Sequence, residues 1–187
     1  MTVRFPQRRR AVPVLLLAGA LAAGGLTGCS GQPGAAAVVD GAAIPVADLQ
    51  QATADLGPFF EDITQGTILM VLVVAPTFVQ AAEDAGVGVS TSDAKDVLEQ
   101  TAAQAVEAGD IKARTTPFSD AAIEVIRFTL VQTKLTELAD DDVSAQIAAD
   151  LDDLDTEVNP RYGEADFSTW SITQITSPWI VETAPAS

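Results

Sequence analysis

The numbers of cysteine and histidine residues limit the catalytic and metal sites that this chain can form. The sequence of 187 residues contains one cysteine, Cys29, and no histidine. A Ser-His-Asp triad, an imidazole base and histidine ligands for a metal are therefore excluded. If Cys29 has another task, a cysteine nucleophile and a thiolate zinc site are excluded as well. We therefore expect no catalytic residues, no metal site and no cofactor.

Cys29 lies at the end of a segment that has the three regions of a secretory signal peptide. Residues 8–10 are arginines, residues 14–26 are apolar or small, and small residues precede the cysteine. Residues 26–29, LTGC, resemble the lipobox of bacterial lipoproteins. The resemblance implies cleavage between Gly28 and Cys29 and attachment of lipid to the Cys29 sulfur. It also implies an extracytoplasmic protein that its acyl chains hold at the cell membrane.

Two other interpretations of this segment are a transmembrane anchor and an ordinary secreted protein with a buried cysteine. A helix that spans a bilayer needs about 20 apolar residues. The run over residues 14–26 is shorter and is interrupted by glycine, which favours cleavage over a stable span. We therefore divide the chain into a signal peptide (residues 1–28), a tether (29–37), one domain (38–172) and a C-terminal tail (173–187).

The charge of the chain indicates which partners it can bind. The sequence has 10 basic and 26 acidic residues. Four of the basic residues precede Cys29, so removal of the signal peptide leaves six bases against 26 acids, a net charge of −20. Such a chain repels nucleic acid and an anionic lipid surface. We expect basic or neutral partners, no nucleic acid, and attachment to the membrane through the lipid anchor.

Apolar residues recur at intervals of three and four along most of the remaining chain, which predicts a mostly α fold. We expect a first helix that has Pro45 in its first turn and ends at Leu56. We expect further helices over residues 64–85, 91–108 and 119–138, and a last helix that resumes after the acidic residues 140–142 and ends at Val158. Ser90 with Asp93 has the spacing of a capping box, with Ser92 as an alternative cap, and Ser119 caps the fourth helix. Pro76 predicts a kink or a break in the second helix.

A small β element is predicted from the two ends of the domain. In residues 38–44, the pair Asp40-Gly41 between apolar residues is typical of a hairpin with a type I′ turn. From Phe167 onward, apolar and polar residues alternate, which predicts one short strand. We expect a turn at Pro160 to bring this C-terminal strand against the hairpin at Val38-Val39.

Three segments together resemble the SurA N-terminal-like domain. They are residues 38–49, which begin VVDG and lead into a helix, residues 85–90, AGVGVS, which precede another helix, and residues 158–166, which begin VNPRYG. The match spans residues 36–172. It implies a helical domain of the kind that forms the peptide-binding body of extracytoplasmic foldases such as SurA and PrsA.

Two departures from this family limit what the resemblance implies. Pro45 stands where the family usually has a serine or threonine as a helix cap. Many members also carry a parvulin-type isomerase domain, whose active site usually includes histidines. This chain has no histidine, and residues 173–187 alone follow the match. We therefore expect no isomerase activity.

The resemblance implies a lipid-anchored holdase that binds unfolded or extended segments of exported proteins without covalent chemistry. The alternative is an adaptor lipoprotein that docks one folded partner of the cell envelope. Arg161 and Tyr162, in the closing segment, are the candidate contacts to a client peptide. A structural role, with Arg161 paired to an internal carboxylate, is favoured, because charge pairs of this kind are often purely structural.

Two acidic stretches, residues 140–142 and 150–155, have the oxygen ligands that calcium prefers. Leu151 and Leu154 interrupt the second stretch at helical spacing, which favours a solvated helix face over a calcium loop. Five of the phenylalanines are predicted to lie in the core unless several are exposed in one groove, where they would bind clients; they are Phe59, Phe60, Phe78, Phe118 and Phe128.

Overall fold

The computed structural model describes residues 32–60 and 62–173. The predicted signal peptide, the cleavage site between Gly28 and Cys29, and residues 174–187 of the predicted tail lie outside the described residues. The described part contains five helices and five short strands, which confirms the mostly α fold with a small antiparallel sheet. In chain order the elements are β1 (Ala35–Val39), β2 (Ala42–Pro45), α1 (Val46–Leu56), α2 (Gln65–Asp84), α3 (Thr91–Ala108), α4 (Asp120–Leu138), α5 (Asp141–Asp152), β3 (Thr156–Val158), β4 (Glu164–Asp166) and β5 (Ser171–Thr173).

The predicted hairpin forms and is part of a three-stranded sheet with the order β2-β1-β3. At its turn, Asp40 and Gly41 have φ angles of 48° and 79°, the positive values that a type I′ turn requires. The strand β1 begins at Ala35 and is almost entirely buried, so it overlaps the predicted tether over residues 35–37. Pro45 ends β2 and directly precedes α1, instead of lying in the first helical turn.

Two predictions about the closing part of the chain are wrong. The last helix ends at Asp152 instead of Val158, and residues 156–158 form β3, which pairs antiparallel with β1. The strand after Phe167, now β5, pairs with β4 and not with Val38-Val39. Residues 154, 156 and 158 fit a strand period as well as residues 151, 154 and 158 fit a helix. Pairing with the open side of β1 decides between the two, because it satisfies backbone groups of both strands.

The helix boundaries follow their local signals closely. Ser90 and Asp93 form the predicted capping box, in which each side chain bonds to the backbone N–H of the other residue. The Ser119 hydroxyl accepts a hydrogen bond from Ala122 at the start of α4. At the break between α4 and α5, the Asp140 carboxylate accepts the N–H groups of Asp142 and Val143, so the acidic triplet does start a new helix.

The core of the domain is built around α2, which packs against α1, α4, α5 and β1. By length and composition alone α2 could cross a membrane, with a mean hydropathy of 1.6, but half of that window is buried within the fold, as in a core helix. The helix continues through Pro76, so the predicted break is absent. Buried residues on both sides of Pro76, such as Val73 and Val79, pack in the same core and keep the helix in one piece.

Most of the phenylalanines lie in the core, as predicted. Phe78, Phe118 and Phe128 are buried, and Phe59 is half-buried against the same cluster. Phe60 is 42% exposed, so its predicted place in the core is wrong. Because the other four rings are buried or half-buried, they do not form an exposed aromatic groove with it.

Candidate functional site

An open groove lies between the β1–β2 hairpin, one face of α2 and the end of α5. We call it the hairpin groove. Its volume is about 610 Å³, and the residues that characterise its walls are Ala43, Ile44, Leu72, Pro76, Asp153 and Leu154. This volume lies within the range of about 300–1,000 Å³ that is usual for ligand sites in proteins.

The hairpin groove has an apolar floor. Ile44 is on β2, Leu72 is on α2, and Leu154 is in the loop after α5. Each is half-buried and packs on the edge of the main core. Pro76 lies at the surface next to them. Because proline has no amide hydrogen, the carbonyl of Leu72 lacks the donor that a helix normally supplies to it. Because Ile44, Leu72 and Leu154 are already half-buried, an apolar side chain that enters the groove would contact apolar groups that are partly withdrawn from water.

The strand β2 forms one wall of the groove and has a free edge. Val39 pairs with Ala42 beside the turn, and Val38 pairs with Ala43. Val38 is also paired, on its other side, with Glu157. Because the hydrogen-bonded pairs alternate along an antiparallel ladder, the N–H and C=O of Ala43 point away from β1. In the part of the chain that the structure describes, no strand pairs with this edge.

Small side chains keep that edge accessible. Ala42 and Ala43 are both exposed and carry only a methyl group each. Pro45 closes the strand and removes one donor from its edge, a feature that in other sheets limits uncontrolled edge-to-edge pairing. The accessible edge is therefore short, with one outward donor and one outward acceptor at Ala43.

Three acidic residues border the groove. Asp40 lies at the hairpin tip, where its N–H donates to the Asp155 carbonyl at 2.8 Å and its carboxylate accepts the Asp155 N–H at 3.1 Å. The Asp150 carboxylate accepts a hydrogen bond from Gln146 at 2.7 Å. Asp153 is the C-cap residue of α5, where its backbone N–H donates to the Ala149 and Leu151 carbonyls. Among residues 32–60 and 62–173, no basic residue lines the groove. The wall beside the apolar floor is therefore negatively charged.

The ion pairs of the described residues lie elsewhere. They involve Lys95 on α3, Arg114 in the loop after α3, and Arg127 on α4. None of these cations contacts Asp150 or Asp153. Within residues 32–60 and 62–173, no group of three or more acidic, cysteine or histidine side chains is placed to hold a metal ion.

The closing segment does not bring its candidate residues into the hairpin groove. Arg161 is exposed, its backbone N–H donates to the Asn159 side chain at 3.1 Å, and its guanidinium forms no ion pair with a described residue. Tyr162 is half-buried against the core, and its N–H donates to the Asn159 carbonyl at 2.8 Å. The amide of Asn159 in turn donates to the Ala35 carbonyl at 3.0 Å, which ties the turn to β1.

A buried charge cluster, which we did not predict, joins α1 to the start of α4. Asp55 is 2% exposed and accepts hydrogen bonds from the Arg114 guanidinium at 2.7 Å, the Ser119 N–H at 2.8 Å and the Gln51 amide at 3.1 Å. The Arg114 guanidinium also lies 4.1 Å from the centre of the Phe118 ring. The signal was present in the sequence, because Asp55 lies on the buried face of α1.

The hydrogen bonds in this cluster keep Asp55 ionised. Burial raises the pKa of Asp55, but hydrogen bonds from Ser119, Arg114 and Gln51 outweigh it, so the pKa lies below its ordinary value of 3.8. The ionised carboxylate therefore stabilises the fold.

Arg114 and Phe118 also line a groove of about 440 Å³ beside α3.

A further groove, of about 380 Å³, lies between α4 and α5 and contains the most exposed large apolar side chain that the structure describes. Trp170 is 47% exposed and contacts Phe78 edge-on at 5.6 Å between ring centres. Trp170 is the last residue of the turn between β4 and β5, in which the Asp166 carboxylate accepts hydrogen bonds from Ser168 and Thr169. These bonds lower the pKa of Asp166.

Comparison with known proteins identifies no relative of this chain. No protein-family model, no curated protein and no solved structure matches it. The resemblance to the SurA N-terminal-like domain stays a prediction.

Proposed function

We propose that this protein is a lipid-anchored extracytoplasmic holdase that binds unfolded or extended segments of exported proteins in the hairpin groove. One observation carries the proposal: a free strand edge and an apolar floor border the same open groove. An extended segment has unpaired backbone groups and exposed apolar side chains, and the groove offers a partner for both. Addition of a peptide to a sheet edge is a recurrent mode of recognition.

The small size of the contact surface suits reversible binding. Only Ala43 offers outward backbone groups on β2, and each net hydrogen bond contributes about 0.5–1.5 kcal/mol. Burying one leucine-sized side chain on the floor contributes about 1.5–3 kcal/mol. A client would therefore be held weakly and released without chemistry, and backbone recognition would accept many sequences.

Attachment through Cys29 places this activity at the membrane where exported chains emerge. The lipobox-like residues 26–29 support this part of the proposal. We expect the wild-type protein in the membrane fraction, with the electrophoretic mobility of a lipidated chain, and we expect Cys29→Ala to lose both properties. A Cys29→Ala variant that stays in the membrane fraction with unchanged mobility would refute lipidation.

The holdase activity is tested by suppression of aggregation. At an equimolar ratio, the purified protein should slow the aggregation of several unrelated unfolded proteins. Ala43→Pro removes the outward N–H without removing a ladder hydrogen bond, so we expect it to fold normally and to lose most of the suppression. Ala43→Ser keeps the N–H and should behave as wild type. Equal suppression by Ala43→Pro, with an unchanged circular dichroism spectrum, would exclude edge pairing.

An adaptor that docks one folded partner is the second candidate, and exposed Trp170 beside the α4–α5 groove favours it. Tryptophan is enriched among the residues that dominate binding energy at protein interfaces. An adaptor would recover one stoichiometric partner in a pull-down, and Trp170→Ala would lose it. Recovery of many unrelated proteins, unaffected by Trp170→Ala, would instead support the holdase.

A further inference from the structure

We propose that the hairpin groove selects extended segments in which a lysine or arginine lies next to an apolar residue. This inference rests on the proposed holdase function and specifies its class of client. The geometry points to it because Asp153 and Leu154 are consecutive and both line the groove. A basic side chain can lay its aliphatic stem on an apolar surface and direct its charge into solvent or toward a carboxylate.

The charge of this wall is not neutralised within the described fold. Between residues 135 and 160 the sequence has nine acidic residues and no basic one. The described ion pairs all lie on α1 to α4 and the loop before α4. No described residue forms an ion pair with Asp150 or Asp153, so their negative charge faces whatever enters the groove.

The backbone of α5 adds to this negative charge. A helix carries a partial negative charge at its C-terminus, where basic residues are favourable and acidic ones are not. α5 nevertheless has no basic residue in its last turn, and Asp150, Asp152 and Asp153 lie there instead. The carboxylates and the helix end both favour a cation at the same place.

A side-chain cation fits this wall better than a metal ion does. Calcium takes six to eight oxygen ligands, and the described residues contain no group of three acidic side chains placed to share a metal. A lysine or arginine needs only one or two carboxylates. The adjacent floor of Ile44, Leu72 and Leu154 accommodates the neighbouring apolar side chain of the client.

The test uses three fluorescent peptides of equal length with the same alternating apolar residues. Two positions carry lysine in the first peptide, glutamine in the second and glutamate in the third. Binding to the purified protein is measured by fluorescence anisotropy at low and high salt. We expect the lysine peptide to bind about tenfold more tightly than the glutamine peptide, since two partly exposed charge pairs contribute modestly. We expect the glutamate peptide to bind most weakly and high salt to reduce the differences.

Two variants with the same change in net charge distinguish the groove from a general attraction. Asp150→Asn with Asp153→Asn removes two charges from the groove wall, and Asp141→Asn with Asp142→Asn removes two from the opposite end of the same helix. The first pair should remove most of the preference for lysine over glutamine, and the second pair should retain it. Asparagine keeps the shape of the side chain, and circular dichroism checks the fold of both variants.

The outcomes separate this inference from the function on which it rests. If the glutamine and lysine peptides bind equally, or if both variant pairs lose the preference to the same degree, the groove does not select basic segments, although the holdase proposal stands. If none of the peptides binds, the holdase proposal fails and the inference fails with it.

Discussion

Asp55 on one side, and Asp150 with Asp153 on the other, carry the same carboxylate group but differ in burial and in the partners that surround it. Asp55 is buried and receives hydrogen bonds from Arg114, Ser119 and Gln51. Asp150 and Asp153 are exposed at the C-terminus of a helix, and the described ion pairs do not include them. The negative charge of Asp55 therefore stabilises the fold, whereas the negative charges of Asp150 and Asp153 destabilise the C-terminus of the helix α5. We infer that a partner outside the fold uses their charge.

Asp140 shows that α5 can place an acid favourably. At the N-terminus of this helix the Asp140 carboxylate accepts two backbone N–H groups, where the helix dipole also favours a negative charge. The two ends of one helix thus carry similar acidic clusters of which only the first stabilises it.

Asp55→Ala should have the largest effect on stability. It leaves the Arg114 guanidinium and the Ser119 N–H without their acceptor in a buried place, and loss of one member of a buried pair typically costs about 3–5 kcal/mol. Because Arg114 remains 23% exposed, we expect a loss of about 2–3 kcal/mol in the free energy of unfolding. Urea denaturation measures it. Asp96→Ala, at an exposed position of α3, is the control and should change little.

The contribution of the ionised Asp55 carboxylate should also be visible in the dependence of the free energy of unfolding on pH. Because the pKa of Asp55 is lowered in the folded state, its stabilising effect is fully present above its ordinary value of 3.8 and is lost as the pH falls through the folded pKa. The difference in stability between wild type and Asp55→Asn should therefore shrink as the pH falls below about 4. A difference that stays constant from pH 6 to pH 2 would show that the charge of Asp55 has no part in folding.

Asp140→Ala should lower the free energy of unfolding by about 1 kcal/mol, because it removes the N-cap of α5. Asp140→Ser keeps a capping oxygen and should recover most of this loss. The measurement is again urea denaturation. If Asp140→Ala leaves stability unchanged, the contrast between the two ends of α5 has no energetic basis.

Asp150→Asn with Asp153→Asn should have the smallest effect, and its sign should be opposite. Removing two negative charges near the C-terminus of a helix relieves an unfavourable interaction of about 0.3–1 kcal/mol, so we expect a slightly higher melting temperature. A clear loss of stability would show that the fold uses these acids after all. Their proposed role in client binding would then lose its main support.

The sequence predicted the features of the fold that depend on neighbouring residues. Ser90 with Asp93 and the Ser119 cap act within one helical turn, and the Asp40-Gly41 turn needs only its own φ angles. For the same reason the positions of α1, α3 and α4 were predicted closely. Local hydrogen bonding decides these features before the rest of the chain is in place.

The features that the sequence did not predict depend on contacts between residues far apart in the chain. The contact between Asp40 and Asp155, which sets the start of β3, joins positions 115 residues apart, and Asp55 meets Arg114 across 59 residues. The hairpin groove likewise needs β2, α2 and α5 together. Periodicity gives the type of each element but not its neighbours, so neither β3 nor the groove could be predicted from it.

The most direct test of the proposed function is the hydrogen exchange of the Ala43 amide, measured by NMR in the purified protein with and without the lysine peptide. A bound segment that pairs with the edge of β2 accepts this N–H, so we predict that exchange at Ala43 slows at least tenfold at saturation. The amide of Asp96, on α3, should not change. Saturating binding that leaves the exchange rate of Ala43 unaltered would contradict the claim that clients bind in the hairpin groove.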